Sequence, residues 1–357
     1  MAFRAVLCHT QVPALNAYGR YIQRTGYAAL DAKLLARTLP VWAEEAATYD
    51  SQDPAEPHRT AFGNVAVHAV GFLGASGLGS DFTYHFQQWL WQDNQAGDLD
   101  TFWIAYNNLF DRNGHLFAGL IEAPGPSPFS QWADLAAFAT PEITVGEHAY
   151  ELDANRWGMK LNYVNGNLDA EVGWLGSSLG WGGSSDFSED TDKTFQYKLA
   201  YASAFRPVEF GIFGSYGSFP LAEGGTDQYH SLAPYIQRDP VNGVPGVLAM
   251  YQVAYDANPG MGLLPAASTA GTLELYEPVL DKGLVSVREE WTNDGLGDRL
   301  QTGNIDFSYQ FLPFLHAYVE DAISQYSVPE WRYMVWLTVP LRNLEPQAAP
   351  APTATPK

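Results

Sequence analysis

Cysteine is almost absent: the 357 residues include one, Cys8. An intramolecular disulfide framework is therefore excluded, and thiol pairing gives no hint of the compartment. Basic side chains are scarce too, with 19 Lys and Arg against 40 Asp and Glu and a formal net charge of -21. Phosphate backbones draw their affinity from clustered Lys and Arg, so this balance argues against nucleic acid as a partner and favours cations. No run approaches the roughly 20 apolar residues of a membrane helix. The opening MAFRAV lacks the charged region, apolar core and cleavage site of a signal peptide, so either the chain stays inside, or Met1 is not the native start and an export signal is expected upstream or already removed.

Rings are plentiful where charges are few. Charged residues make up 17% of the chain and aromatics 14%, with 11 Trp, 20 Tyr and 19 Phe, a balance suited to a large apolar outer surface. From about residue 40 the dominant pattern has period two, which sends alternate side chains to opposite faces of a strand. In RWGMKLNY, Trp157, Met159, Leu161 and Tyr163 share one face while Gly158, Lys160 and Asn162 share the other. FQYKLAY, NIDFSYQF and WRYMVWLTV divide in the same way. The alternation predicts strands over 41–49, 62–73, 81–91, 100–109, 115–123, 156–164, 168–175, 194–203, 208–217, 228–237, 246–255, 269–277, 283–291, 302–311, 314–323 and 331–341.

Connections of two kinds alternate between these strands. VNGN, FRPVE and LPF are short; LGSSLGWGGSSDFSEDTDK (175–193) is long and rich in Gly and Asp. Short turns at one end and long loops at the other predict an all-β, antiparallel transmembrane β-barrel of about 16 strands. With the first strand at VWAEEAATY, every short turn falls at the end that holds both chain termini. Making ITVGEHAY (143–150) a wall strand would break that order, so it belongs to the long loop 124–155, where SPFSQWADLAAF could be a short helix folded inward. A soluble sandwich or propeller would alternate for the same reason, with its apolar face on a core. No repeat of fixed period supports a propeller.

The front of the chain has a different texture. Cys8-His9 matches the end of the C-x-x-C-H motif, in which thiols add to the porphyrin vinyl groups and the histidine binds the iron. Ala5 stands where the first cysteine would be, leaving one possible thioether. Pro13 suits a helix start, Leu15, Tyr18 and Ile22 form an apolar stripe, and Gly26 suits a helix end. Cys8-His9, Pro13, Leu15-Asn16, Gly19-Arg20 and Gly26-Tyr27, followed by an acidic many-stranded barrel, resemble the fused outer-membrane monohaem cytochrome-porins of iron-oxidising bacteria.

That resemblance implies a short helical cytochrome-like haem or plug segment over 1–38 and a porin-like barrel over 40–342; the Pro/Ala-rich stretch 343–357, without periodicity, is expected to be a disordered tail. It implies haem c held by Cys8 through a single thioether, with His9 as proximal ligand to the haem iron. It also implies insertion in outer-membrane lipid with the N-terminus on the periplasmic side, extracellular Fe(II) or a similar reductant as electron donor, and periplasmic cytochromes as acceptors. No distal haem ligand is assigned: His58 is expected in an outer loop, and His68 and His85 on strands.

Other functions fit the same residues. The chain could be a haem-free diffusion porin whose front segment is only a plug, or a barrel without transport. Asp186, Glu189, Asp190 and Asp192 could recruit cations, since hard divalent ions prefer oxygen, although acidic Gly-rich loops are also ordinary solvated surface. Lys160, Glu171, Lys198, Arg288, Asp306 and Arg332 are expected to face a lumen.

Overall fold

Alternation becomes a wall when each strand finds two partners. The computed structural model describes residues 40–49, 58–72, 82–91, 96–97, 99–121, 143–150, 155–176, 193–202, 208–240, 243–280, 282–312, 315–324 and 330–340. In chain order the strands are β1 (Pro40–Tyr49), β2 (His58–Phe72), β3 (Phe82–Trp91), β4 (Leu99–Leu109), β5 (Gly114–Ile121), β6 (Ile143–Val145), β7 (His148–Tyr150), β8 (Arg156–Asn165) and β9 (Leu168–Gly176). There follow β10 (Lys193–Ala202), β11 (Val208–Pro220), β12 (Thr226–Arg238), β13 (Gly246–Asp256), β14 (Ala266–Val279), β15 (Gly283–Asn293), β16 (Arg299–Leu312), β17 (Leu315–Ser324) and β18 (Glu330–Pro340).

Sixteen of these strands form one closed antiparallel barrel, in the order β1-β18-β17-β16-β15-β14-β13-β12-β11-β10-β9-β8-β5-β4-β3-β2. The seam runs between β1 and β18, with Pro40 opposite Pro340 and Tyr49 opposite Trp331. Closure satisfies the edge hydrogen bonds that an open sheet would leave bare. Among the turns at the end bearing Pro40 and Pro340, here the near end, those between β8 and β9, β14 and β15, and β16 and β17 are tight. Between β8 and β9 the turn has Gly166 at φ 59, which glycine reaches without a Cβ penalty.

The outer face is apolar and ordered by height. At the far end Trp174, Phe195, Tyr216, His230 and Tyr255 stand opposite one another in register across β9 to β13, all exposed. On β10 and β11 a second pair of rings, Tyr201 and Phe210, stacks with centroids 5.2 Å apart near the other end. Between the rows lie aliphatic side chains such as Val172, Leu199, Ile212, Leu232 and Val253, again exposed. Phe195 and Tyr201 are six positions apart, about 20 Å along a strand. Two aromatic rows around an aliphatic band are what a lipid-facing barrel surface requires.

Several strands are longer than alternation predicts. β2 starts at His58 rather than 62, which places His58 on a strand and not in a loop. β14 begins at Ala266, β16 at Arg299, and β11 runs to Pro220. All these extensions are at the far end. The ladder continues there past the apolar band, so the outward residues no longer need to be apolar: Ser218 and Gln228 pair one step beyond the Tyr216–His230 level. His68 and His85 are on β2 and β3, as expected.

Candidate functional site

The inner face is lined by the polar half of each alternation. On β8, Arg156, Gly158, Lys160 and Asn162 point inward; β9 contributes Asp169 and Glu171, β10 Gln196 and Lys198, β15 Ser286 and Arg288, and β16 Asn304 and Asp306. The expected lumen charges Lys160, Glu171, Lys198, Arg288 and Asp306 are all on this face, and Arg332 is on β18. Cys8 and His9 lie outside the described residues, as do Asp186, Glu189, Asp190 and Asp192, the 1–38 segment and the 343–357 tail.

One group of inward charges forms a network across β8 to β12. Lys198 Nζ lies 3.1 Å from Asp169 Oδ2, 3.5 Å from Glu209 Oε1 and 3.6 Å from Glu171 Oε1. Lys160 Nζ is 3.0 Å from Glu171 Oε2. Asn162 donates to Asp169 at 3.1 Å and the Tyr235 hydroxyl to Glu209 at 2.6 Å. Two ammonium groups thus face three carboxylates, an arrangement that costs desolvation and returns it as mutual attraction only when the pairing is complete. A smaller group sits on β14 to β16: Arg288 is opposite Glu274 in the ladder and bonds Glu290, while Ser286 donates to Asp306 at 2.6 Å.

These side chains are shut off from bulk water. Gln252, Glu274 and Arg288 are 0% exposed, Asp306 3% and Lys198 6%. In a wide aqueous channel inward polar groups would be wet, so this part of the lumen is narrow.

The β6–β7 hairpin contributes to that narrowing. It forms its own two-stranded sheet, outside the wall, as the turn order predicts for ITVGEHAY. Ile143 and Val145 belong to a buried cluster with Ala200, Phe213, Tyr229, Ala233, Tyr235, Met250, Ala254, Ala266 and Ala270. Small inward residues on β12 to β14 leave room for the hairpin to lie against the wall. Its turn is fastened at the far end, where Glu147 N–H donates to the Pro259 carbonyl at 2.8 Å and the Ala222 N–H donates to Glu147 Oε2 at 2.6 Å.

His148, just after that turn, is buried against the outer ends of β12 and β13. Its Nδ1 is 2.8 Å from Asp256 Oδ1 and 3.9 Å from Asp227 Oδ2, and its ring centroid is 4.1 Å from that of Tyr229. Burial pushes the imidazole pKa down to about 3, the Arg156 charge adds to that, and Asp227 opposes it. A neutral imidazole offers one ring nitrogen as a ligand. The period-two pattern missed this trio because its members are distant in the chain and only Asp227 and Asp256 lie on wall strands. A polar residue within an otherwise apolar stripe, His148 after Val145, is the one signal the sequence carries.

No family model and no curated protein matches the chain. Solved structures do. The anion-selective porin from Comamonas acidovorans is similar at 12% identity with a TM-score of 0.59, over 85% of this chain and 99% of that one. OmpT from Vibrio cholerae, an outer-membrane protein, is similar at 10% identity and TM-score 0.57, over 84% and 98%. OprB from Pseudomonas putida is similar at 11% and 0.55, over 87% and 96%. The fold is that of an outer-membrane porin barrel.

Proposed function

We propose that this porin-type barrel sits in a bacterial outer membrane, near end to the periplasm, and serves as an electron conduit. Its front segment would carry haem c on Cys8 and His9, accept electrons from extracellular Fe(II) or a similar reductant, and pass them to periplasmic cytochromes. The observation that carries this reading is the closed inner wall. A conduit needs a low-dielectric path that excludes water, whereas a diffusion porin needs an open one, and the inward side chains from β8 to β16 are nearly all buried.

The donor set suits a singly tethered haem. Cys8 offers one thiolate for one thioether, His9 an imidazole for the iron, and Ala5 offers nothing. Bound there, the haem supplies a one-electron centre. Cys8 would keep it on the chain, His9 would set its ligation, and the acidic cluster Asp186, Glu189, Asp190 and Asp192 would raise the local concentration of cations.

Co-expression with a c-type maturation system, export and detergent extraction, followed by a pyridine haemochrome spectrum, tests the proposal. A band shifted as for a single thioether is expected, and Cys8→Ala should lose covalent haem while the unboiled protein keeps its fast, barrel-like mobility in SDS. A colourless wild-type protein would leave the second reading, a diffusion pore. The charge-lined wall and the porin fold support that reading, and it predicts steady ion conductance in planar bilayers.

A further inference from the structure

We infer that His148, Asp227 and Asp256 form a binding site for one divalent first-row transition cation, which ties the inward hairpin to the barrel wall. One ligand atom from each lies within 4.8 Å of the others, and all three residues are buried. Asp227 carries the decisive observation. Its Oδ1 accepts the Asn258 N–H at 2.6 Å, but Oδ2 is fully buried, 3.9 Å from His148 Nδ1, and meets no N–H or hydroxyl donor; the Asp227 carboxyl abuts that of Asp256. A buried carboxylate oxygen with no donor, beside a second carboxylate, needs a cation or a proton to offset its charge.

Charge and geometry favour a metal ion. Two carboxylates and a neutral imidazole balance a dication. The Nδ1 separations of 2.8 and 3.9 Å bracket the ~3.4 Å edge of a tetrahedron with ~2.1 Å bonds, so small side-chain shifts would complete a site with water in the fourth position. A nitrogen with only two carboxylates suits Zn²⁺, Co²⁺, Mn²⁺ or Fe²⁺; Ca²⁺ takes six to eight oxygens. Arg156, whose charge reaches His148, bonds the Gly176 carbonyl and Thr194 Oγ1, 3.4 and 3.5 Å away.

Neither Cys8 nor His9 takes part, so loss of haem and loss of this ion are read separately. The hairpin is also fastened by Glu147 and by Ile143 and Val145, so removing the imidazole need not release it. The full chain, extracted in detergent without haem, is treated with chelator, dialysed, and titrated with ZnCl₂ and separately with CoCl₂. One tight zinc equivalent per chain is expected, together with an intense visible band from four-coordinate Co²⁺. His148→Gln and Asp256→Asn should each weaken zinc by more than about tenfold, because even an outer-shell partner is worth that much. His230→Ala, on the outer surface, should bind as wild type, as should wild type in excess CaCl₂. Unboiled gel mobility checks that each variant is a closed barrel. Absence of a zinc equivalent in the wild type overturns the inference, and so does unchanged affinity in His148→Gln.

Discussion

The ammonium of Lys198 and the carboxylate of Asp169 are 3.1 Å apart on neighbouring strands, one 6% exposed and the other 0%. Because Glu171 and Glu209 share the same ammonium, Lys198 holds the inner wall of β9 to β11 together electrostatically.

Lys198→Met should therefore cost about 3–5 kcal/mol, the usual penalty for leaving buried charges without their partner. Removing a carboxylate as well, in Lys198→Met with Asp169→Asn, should recover part of that. Equilibrium unfolding in urea after reconstitution into vesicles measures both. A single variant within about 0.5 kcal/mol of wild type would mean the network is water-screened.

Height on the outer wall should set the tolerance for charge. Leu199 sits in the aliphatic band and Tyr216 in the far aromatic row. Leu199→Arg should destabilise insertion by about 2–4 kcal/mol and Tyr216→Arg by about 0–1 kcal/mol, following the depth dependence of barrel surfaces. Equal costs in a vesicle-folding titration would mean that the two rows do not mark the edges of a membrane.

Glycines placed under rings offer a third test. Gly271 is directly opposite Trp291, and a Cβ added there would lie 2.0 Å from the indole; Gly246 is likewise opposite Tyr276. A ring lying over a glycine shields its backbone and pins the register. Gly271→Val should push the indole off and cost about 1–3 kcal/mol, as overpacking does. Trp291→Phe subtracts the signal of this indole, so a shift in emission seen only when Trp291 is present reports the displacement.

The hairpin can be loosened without touching its polar contacts. Ile143→Ala removes apolar contact with the wall cluster and should weaken docking by about 2–5 kcal/mol. Protease should then cut near Glu147, and conductance in planar bilayers should rise while unboiled gel mobility stays that of a closed barrel. Resistance to cleavage equal to wild type would show that the backbone bonds at Pro259 suffice alone.

Much of the wall was legible because an apolar outer face and a polar inner face impose a period of two on every strand. Trp157, Met159, Leu161 and Tyr163 face outward on β8, as RWGMKLNY predicts, and the order of short and long connections kept ITVGEHAY out of the wall. Legibility failed where that double constraint ends. Beyond the aromatic row the outward face is free to be polar, so the far-end extensions of β2, β14 and β16 carry no pattern. Nor could alternation bring His148 to Asp227 and Asp256: it gives the face of each strand, not how a loop folds back across the interior.

Pairing of Pro40 with Pro340 has a kinetic corollary. Every other wall contact joins wall strands consecutive in the chain, but the closing ladder joins the two extremes of the sheet, at the greatest loss of chain entropy. The sixteenth strand must be synthesised before the first can be protected, so a nascent chain holds two sticky margins apart until the last moment. Truncation within β18 would then not trim the protein but forbid its assembly.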